Sequence, residues 1–229
     1  MKRDLAPPPA GILVPSAGTV AGLRAIDSSG ARFELRVGES VATVSAAMIA
    51  EFQLASGKVL SSSEAEALSR SVSRLRVFDK AVALLALRAR SARDLRTALR
   101  RRGAVAADAN AVVDQLQELG LVNDAAFALA VAQGRANSTG MSSRRVSQVL
   151  VRKGIDARLA AEAAREVFEG VDETEAARAI AERRLRTLGR LDDAVRRRRL
   201  HAFLARRGFS SDVVRRVLEQ VLRGGQRDE

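Results

Sequence analysis

The sequence contains no cysteine, tryptophan or tyrosine, only one histidine, and no proline after Pro15. Without cysteine there are neither disulfides nor thiolate metal ligands, a composition that fits a reducing cytosol. The lone histidine, His201, excludes a multi-histidine metal set, and no Cys–His pair exists for nucleophilic catalysis. His201 follows a core leucine among several arginines and reads as a partly exposed helix residue rather than a proton-transfer group. Gly57-Lys58 lacks the phosphate-loop pattern, because Phe52 occupies the position of the first glycine and Val59 that of the metal-binding Ser or Thr. The chain is therefore expected to be no enzyme, with no catalytic residue, cofactor or metal. No run of about eighteen apolar residues occurs, which excludes a membrane-spanning helix. Met1-Lys2-Arg3 followed by Leu5 to Val14 is a poor secretory signal, since three prolines interrupt its apolar region. A cytoplasmic protein is expected. Beyond Pro15 the strongest helix breaker is absent. With aromatics at 3%, the core must come mainly from Ala, Leu and Val, which suits close-packed helices.

What the sequence does have is a ten-residue stretch in three copies: Asp94 to Gly103, Arg145 to Gly154 and Arg199 to Gly208. Counting back from each glycine, an apolar residue sits at minus eight (Leu95, Val146, Leu200) and at minus five (Ala98, Val149, Phe203), and Leu at minus four (Leu99, Leu150, Leu204). Two basic residues precede every glycine: Arg101-Arg102, Arg152-Lys153 and Arg206-Arg207. The glycines lie 51 and then 54 residues apart. A period of this size in a helix-rich sequence signals stacked supersecondary units.

Along the chain, residues 1–16 read as a flexible leader. Residues 19–26 and 31–37 alternate around Asp27-Ser28-Ser29-Gly30, the pattern of a β-hairpin, and Ser40 to Thr43 suggests a third strand. A helix from about Val44 to Phe52 follows. Ser61 and Glu64 have capping-box spacing and open a helix through about Arg74. Residues 17–75 are thus a small mixed unit. From Arg76 the pattern is helical in threes, with units expected at 76–123, 124–172 and 173–225 and a frayed tail at 226–229. In the first unit, Phe78, Val82 and Leu85 with Ala81 and Leu84 form one face. Ser91 caps the motif helix, and Asp108 the third helix with its stripe Ala109, Val112, Val113, Leu116 and Leu119. Asn123-Asp124, Ser142-Ser143, Asp156, Asp172 or Thr174, Asp192, and Ser210 or Ser211 open the later helices. Short helices of this kind are marginal alone and require stacking. The expected fold is mainly α: three tandem three-helix repeats in an elongated curved array after an N-terminal unit with a β-hairpin.

The formal charge of +12 is uneven. The excess of Lys/Arg over Asp/Glu is +1 in residues 1–75, +3 in 76–124, +2 in 125–172 and +6 in 173–229. Concentration in the repeats is what a polyanion-facing surface requires. At about 100° per residue, the minus-two cation falls roughly 110° from the apolar stripe, whereas the minus-one cation lies nearly in line with it. Arg101, Arg152 and Arg206 are thus the better surface candidates, and Arg102, Lys153 and Arg207 would have to extend past the helix end. The cations could simply complement the helix dipole, worth up to about 1 kcal/mol. Their recurrence in register favours a partner. Arg144-Arg145 at the second copy and Arg196-Arg197-Arg198-Arg199 at the third complete the candidate set. Four consecutive residues span about 300° of a helix, so one or two could meet a polyanion, or an acidic neighbour such as Glu173, Glu175 or Glu182. No aromatic set is interleaved for stacking bases, which leaves phosphate contacts as the mode for any single- or double-stranded DNA.

The run from Ala83 to Leu95, continuing through Leu99 and Arg101-Arg102-Gly103, resembles the first-repeat signature of the RecX regulatory proteins. Leu116 to Asp124 with Phe127-Ala128 is similar to the link into that family's second repeat, Arg145 to Ile155 to its motif helix, and Phe203 to Ser210 to its third-repeat signature. Residues 19–60 loosely resemble a strand-bearing extension of some members. Where the family carries a Gly-aromatic-Gly loop, this chain has Gly140-Met141-Ser142. The resemblance implies three-helix repeats that bind the RecA recombinase and lie in the groove of its filament on single-stranded DNA. It further implies inhibition of filament extension, ATP hydrolysis, strand exchange and the co-protease activity that triggers the SOS response in DNA repair. A monomer is expected. The alternative is an architectural protein that binds the DNA backbone by charge alone.

Overall fold

The structure, a computed structural model, describes residues 17–26, 30–189 and 191–224. The leader, the turn residues Asp27 to Ser29 and the tail at 226–229 lie outside the described residues. The order of elements is β1 (Gly18–Ala25), β2 (Arg32–Val37), β3 (Ser40–Ser45), α1 (Ala46–Glu51), β4 (Val59–Leu60), then helices α2 (Ser62–Leu87), α3 (Ala92–Arg101), α4 (Ala106–Glu118), α5 (Asp124–Thr139), α6 (Ser143–Arg152), α7 (Ala157–Val167), α8 (Glu173–Arg186), α9 (Asp193–Arg206) and α10 (Ser211–Gly224). These pack as two compact units, one running up to Arg88 together with Ala98–Gln115, the other comprising Ala89–Thr97 and Leu116 onward.

The first unit holds an antiparallel sheet in the order β3-β2-β1-β4. Strand β1 pairs with β2 (Leu23 with Leu35) and, at its start, with β4 (Gly18 with Leu60). Period-two alternation puts Leu35 and Val37 of β2 and Ala42 and Val44 of β3 into one core. Met48 of α1, Leu60 of β4 and the stripe Ala65, Leu68 and Val72 of α2 complete it. Val44 therefore belongs to a strand, not to the expected helix, which starts two residues later because the Ser45 hydroxyl accepts the Met48 amide. The pattern missed β4, too short to show a period.

The capping box opens α2 as expected: Ser61 Oγ accepts the Glu64 amide at 3.3 Å, and Glu64 Oε2 accepts the Ser61 amide at 2.9 Å. Lys58 Nζ donates to the Phe52 carbonyl at 2.6 Å and pairs with Glu64 at 3.0 Å, tying the end of α1 to the start of α2. The Ser61 amide and hydroxyl, and then Lys58, hold the Glu64 carboxyl down at about 2. A depressed folded-state value gives stability that is complete above the ordinary carboxylate range and lost as pH falls toward 2. We expect Glu64→Gln to be less stable than wild type at neutral pH, with the difference shrinking between about pH 4.5 and 2 in urea titrations. A pH-independent difference would contradict this.

Helix α2 does not stop near Arg74 but continues to Leu87, since neither Gly nor Pro interrupts it. Its buried positions step from Val72 to Val77, then to Ala81 and Leu84. Of the expected face, Ala81 and Leu84 are buried and Phe78 and Leu85 half-buried, but Val82 is 41% exposed. Asp108 is not an N-cap: α4 begins at Ala106, and the Asp108 carboxylate accepts from Ser73 Oγ at 3.1 Å. Leu119, placed in the α4 stripe from sequence, lies past the helix end and is 58% exposed.

The second unit contains two complete three-helix repeats, α5–α7 and α8–α10, each with its own core. In the former, Ala128, Ala132, Ala160, Ala163 and Ala164 let the helices approach closely around Val146 and Leu150. In the latter, Leu200 and Leu204 meet Val213, Val214, Val217 and Leu218. Asn123, Ser142, Asp156, Asp172 and Ser210 accept the amides expected of N-caps. Asp192 makes no side-chain cap bond. No described helix is long and apolar enough to cross a membrane, and the described residues hold no group of three His, Asp or Glu arranged for a metal.

Candidate polyanion-binding cleft

The three motif helices are α3, α6 and α9. Their minus-eight and minus-four residues, Leu95, Val146, Leu200 and Leu99, Leu150, Leu204, are fully buried, which orients each helix about its axis. Each ends in a glycine in the left-handed region, with φ of +85° at Gly103, +90° at Gly154 and +87° at Gly208. The Ala104 and Ile155 amides reach back to the Leu99 and Leu150 carbonyls at 3.1 Å, closing the last turn as a Schellman motif.

Two of these glycines do more than cap. Ser91 Oγ donates to the Lys153 carbonyl at 2.6 Å, and the Ser142 amide donates to the Arg207 carbonyl at 3.0 Å. The end of α6 thus abuts the first turn of α3, and the end of α9 abuts the first turn of α6, so that helix ends of opposite partial charge meet. A Cβ on Gly154 would lie 2.8 Å from Arg93 Cβ, and one on Gly208 2.6 Å from Arg145 Cβ and 2.7 Å from Ser142 Oγ. An acid from the next repeat completes each joint: the Asp124 carboxylate accepts the Ala92 amide at 2.8 Å, and Glu173 accepts the Ser143 amide at 3.3 Å. Asp124, expected as part of a cap, serves this joint while Asn123 caps. Sequence reasoning missed these contacts. The available signal was serine recurring twelve residues before Gly103 and Gly154, with Arg196 at the same place before Gly208.

The joint places cations from successive repeats side by side. Arg144 and Arg145, in the first turn of α6, and Arg206, at the end of α9, line one cleft of about 420 Å³ with Gln148, Gly208 and Phe209. Among the described residues no carboxylate lines it. Arg145 is half-buried; its Nη1 donates to Gln148 at 3.2 Å, while its Nε is buried with no hydrogen-bond partner. Arg144 and Arg206 are exposed. Such a set presents planar guanidinium forks suited to phosphate or carboxylate oxygens.

The other candidate residues lie elsewhere. Arg101 and Arg152 are exposed, as their flank position predicts, but neither lines this cleft. Arg102 donates to the Ala98 carbonyl of its own helix at 3.4 Å, and Lys153 is half-buried at the joint. Arg196 pairs with Asp193 one turn back in α9, while Arg197, Arg198 and Arg199 are exposed. Of the acidic neighbours considered for that run, Glu173 belongs to the joint, and Glu175 and Glu182 pair with Arg178. Arg207 turns away from Arg206 and lies over the Phe203 ring, 3.8 Å from its centroid. Burial, then the charges of Arg206 and Arg184, push its guanidinium below its usual value.

Family models match the chain in three places, described as the first three-helix domain of RecX over residues 78–116, the second over 123–163 and the third over 172–218. The regulatory protein RecX of Amycolatopsis mediterranei is 39% identical over 140 residues, 61% of this chain and 79% of that protein. That of Streptomyces coelicolor is 37% identical over 133 residues, 58% of this chain and 70% of that protein. A crystal structure of a regulatory protein RecX superposes with a TM-score of 0.72 at 19% identity, covering 88% of this chain and 99% of the other. The RecX structure from Lactobacillus salivarius gives 0.56 at 19% identity, over 65% and 96%. With all three repeat models matched in order and the same helices in the fold, the chain belongs to the RecX family of regulatory proteins.

Proposed function

We propose that this chain is a non-enzymatic regulator that binds the RecA recombinase and its filament on single-stranded DNA. It limits filament extension, and with it ATP hydrolysis, strand exchange and SOS co-protease activity. The observation that carries this reading is the cleft where Arg144 and Arg145 of one motif helix meet Arg206 of the next, with no acid among its lining residues. A filament offers protein carboxylates and DNA phosphates at regular intervals, and several weak cationic sites on one repeating body would gain affinity by engaging together. The exposed cations Arg101, Arg152 and Arg197 to Arg199 are further contacts in this reading, with Arg102, Lys153, Arg196 and Arg207 held at helix ends or in local pairs. The protein acts as a monomer in the cytoplasm.

The test is the single-stranded-DNA-dependent ATPase of RecA, titrated with this protein at physiological salt. Inhibition is expected at protein levels well below one per RecA; no inhibition below equimolar ratios would sink the proposal. The uneven positive charge supports a second reading, an architectural protein that binds the DNA backbone alone. In that case affinity for free DNA should fall with salt at a slope near about −0.9 per phosphate contact on duplex, or about −0.7 on single strands, and RecA should be inhibited only once the DNA is coated.

A further inference from the structure

The adjacent basic residues Arg206 and Arg207 serve two different clefts. Arg206 lines the one described above, whereas Arg207 lines a second, of about 430 Å³, within the third repeat and beside the end of α5. Its floor is apolar, built from Ala176, Ala179 and Ile180 on one face of α8 and Phe203 on α9. Its wall is set by Gly140, where a Cβ would lie 2.7 Å from Ile180 Cγ2, so only glycine admits this packing. Three arginines, Arg183, Arg184 and Arg207, rim it, and among the described residues no acid lines it. The guanidinium carbons of Arg207 and Arg184 lie 3.8 and 5.7 Å from the Phe203 centroid. Arg183 and Arg184 are exposed, and Arg184 donates to the Thr187 hydroxyl at 3.3 Å.

From this arrangement we propose that the α8–α9 cleft is a docking site for an acidic peptide segment of a partner protein, one that inserts an apolar side chain onto the Ile180–Phe203 floor and places carboxylates on the arginine rim. Like charges crowded on a low-dielectric floor gain most from an anion that brings its own apolar surface. A hydrated phosphodiester strand would leave Ala176, Ala179 and Ile180 uncovered, and the Arg207 guanidinium lies where a base would stack on Phe203. Arginine and phenylalanine are also among the residues enriched at protein-binding surfaces. The site is separate from the Arg144–Arg206 cleft, so the inference does not depend on RecA as the partner.

The test uses a fluorescein-labelled Asp/Glu-rich peptide with one central Leu, titrated with the full chain and read by anisotropy. Binding is expected, with a loss of about tenfold, or about 1.4 kcal/mol, on changing the central Leu to Ser and again in Arg183→Glu or Arg184→Glu protein. An unlabelled single-stranded oligonucleotide should not displace the peptide. Both variants sit on the exposed face of α8, and circular dichroism checks that they keep wild-type helicity. The proposal is overturned by no binding, by equal binding of the Leu and Ser peptides, by unchanged affinity in both variants, or by displacement with the oligonucleotide. The RecA ATPase titration of the Arg183→Glu protein is independent of these outcomes.

Discussion

Replacing Gly208 with Ala is expected to cost about 3–5 kcal/mol of stability, and Gly103→Ala only about 1–2 kcal/mol. Both glycines have φ near +85°, where an L-residue is strained. The positions differ in what the new methyl group meets. Beyond Gly103 lies open space, so backbone strain is the whole cost. At Gly208 the Cβ would press on Arg145 Cβ at 2.6 Å, Ser142 Oγ at 2.7 Å and Arg145 Cα at 3.3 Å, atoms close to or on a helix backbone that cannot swing away. Relief would require α9 to retreat from the first turn of α6, stretching the 3.0 Å bond from the Ser142 amide to the Arg207 carbonyl. Gly154 falls between, since its nearest contacts are Arg93 Cβ at 2.8 Å and Arg93 Cδ and Ser91 Oγ at 3.1 Å, and part of that arginine can move. Urea unfolding of the three variants, followed by circular dichroism, should give the order Gly103, Gly154, Gly208 in increasing loss. Equal losses would mean that the glycines serve only as caps.

That contrast also marks how far the residues alone could be read. Helix positions were legible because caps and stops carry side-chain signals: Asn123, Ser142, Asp156 and Asp172 accept the amides their identities suggest, and Leu99, Leu150 and Leu204 are buried as their spacing requires. The length of α2 was not, because a polar stretch around Ser73 to Arg76 resembles an interruption when it is the exposed part of a helix whose buried stripe shifts by one position. Strand β4 has two residues and owes its existence to the edge of β1. The joints between repeats are least legible of all. One acceptor in each is a main-chain carbonyl, at Lys153 and Arg207, and a carbonyl has no letter in the sequence. The helical wheel separates minus two from minus one, and Arg206 and Arg207 do diverge. It treats Arg101, Arg152 and Arg206 alike, however, and cannot tell that Arg206 meets Arg144 and Arg145, because that depends on where the next helix ends.

The second large effect is expected from reversing charge in that cleft. If the chain binds the RecA filament as proposed, Arg144→Glu combined with Arg206→Glu should weaken that binding about a hundredfold or more, since two charge-assisted contacts at about 1.5–3 kcal/mol each would be lost and repulsion would replace them. Helicity should not change: both residues are exposed, and neither has an ion-pair partner among the described residues. Reversing Arg152 alone should matter less, because it lies outside the cleft and can contribute only one contact. The pattern of loss distinguishes the two readings of the positive charge. If the cleft meets phosphate, the salt slope on free single-stranded DNA should shrink by about 0.7 for each contact removed, and ATPase inhibition should fall in proportion to DNA affinity. If it meets RecA carboxylates, the slope on free DNA stays at the wild-type value while inhibition is lost. A double variant that binds both free DNA and filament like wild type would remove the cleft from the mechanism and leave the exposed run Arg197 to Arg199 as the surface to test.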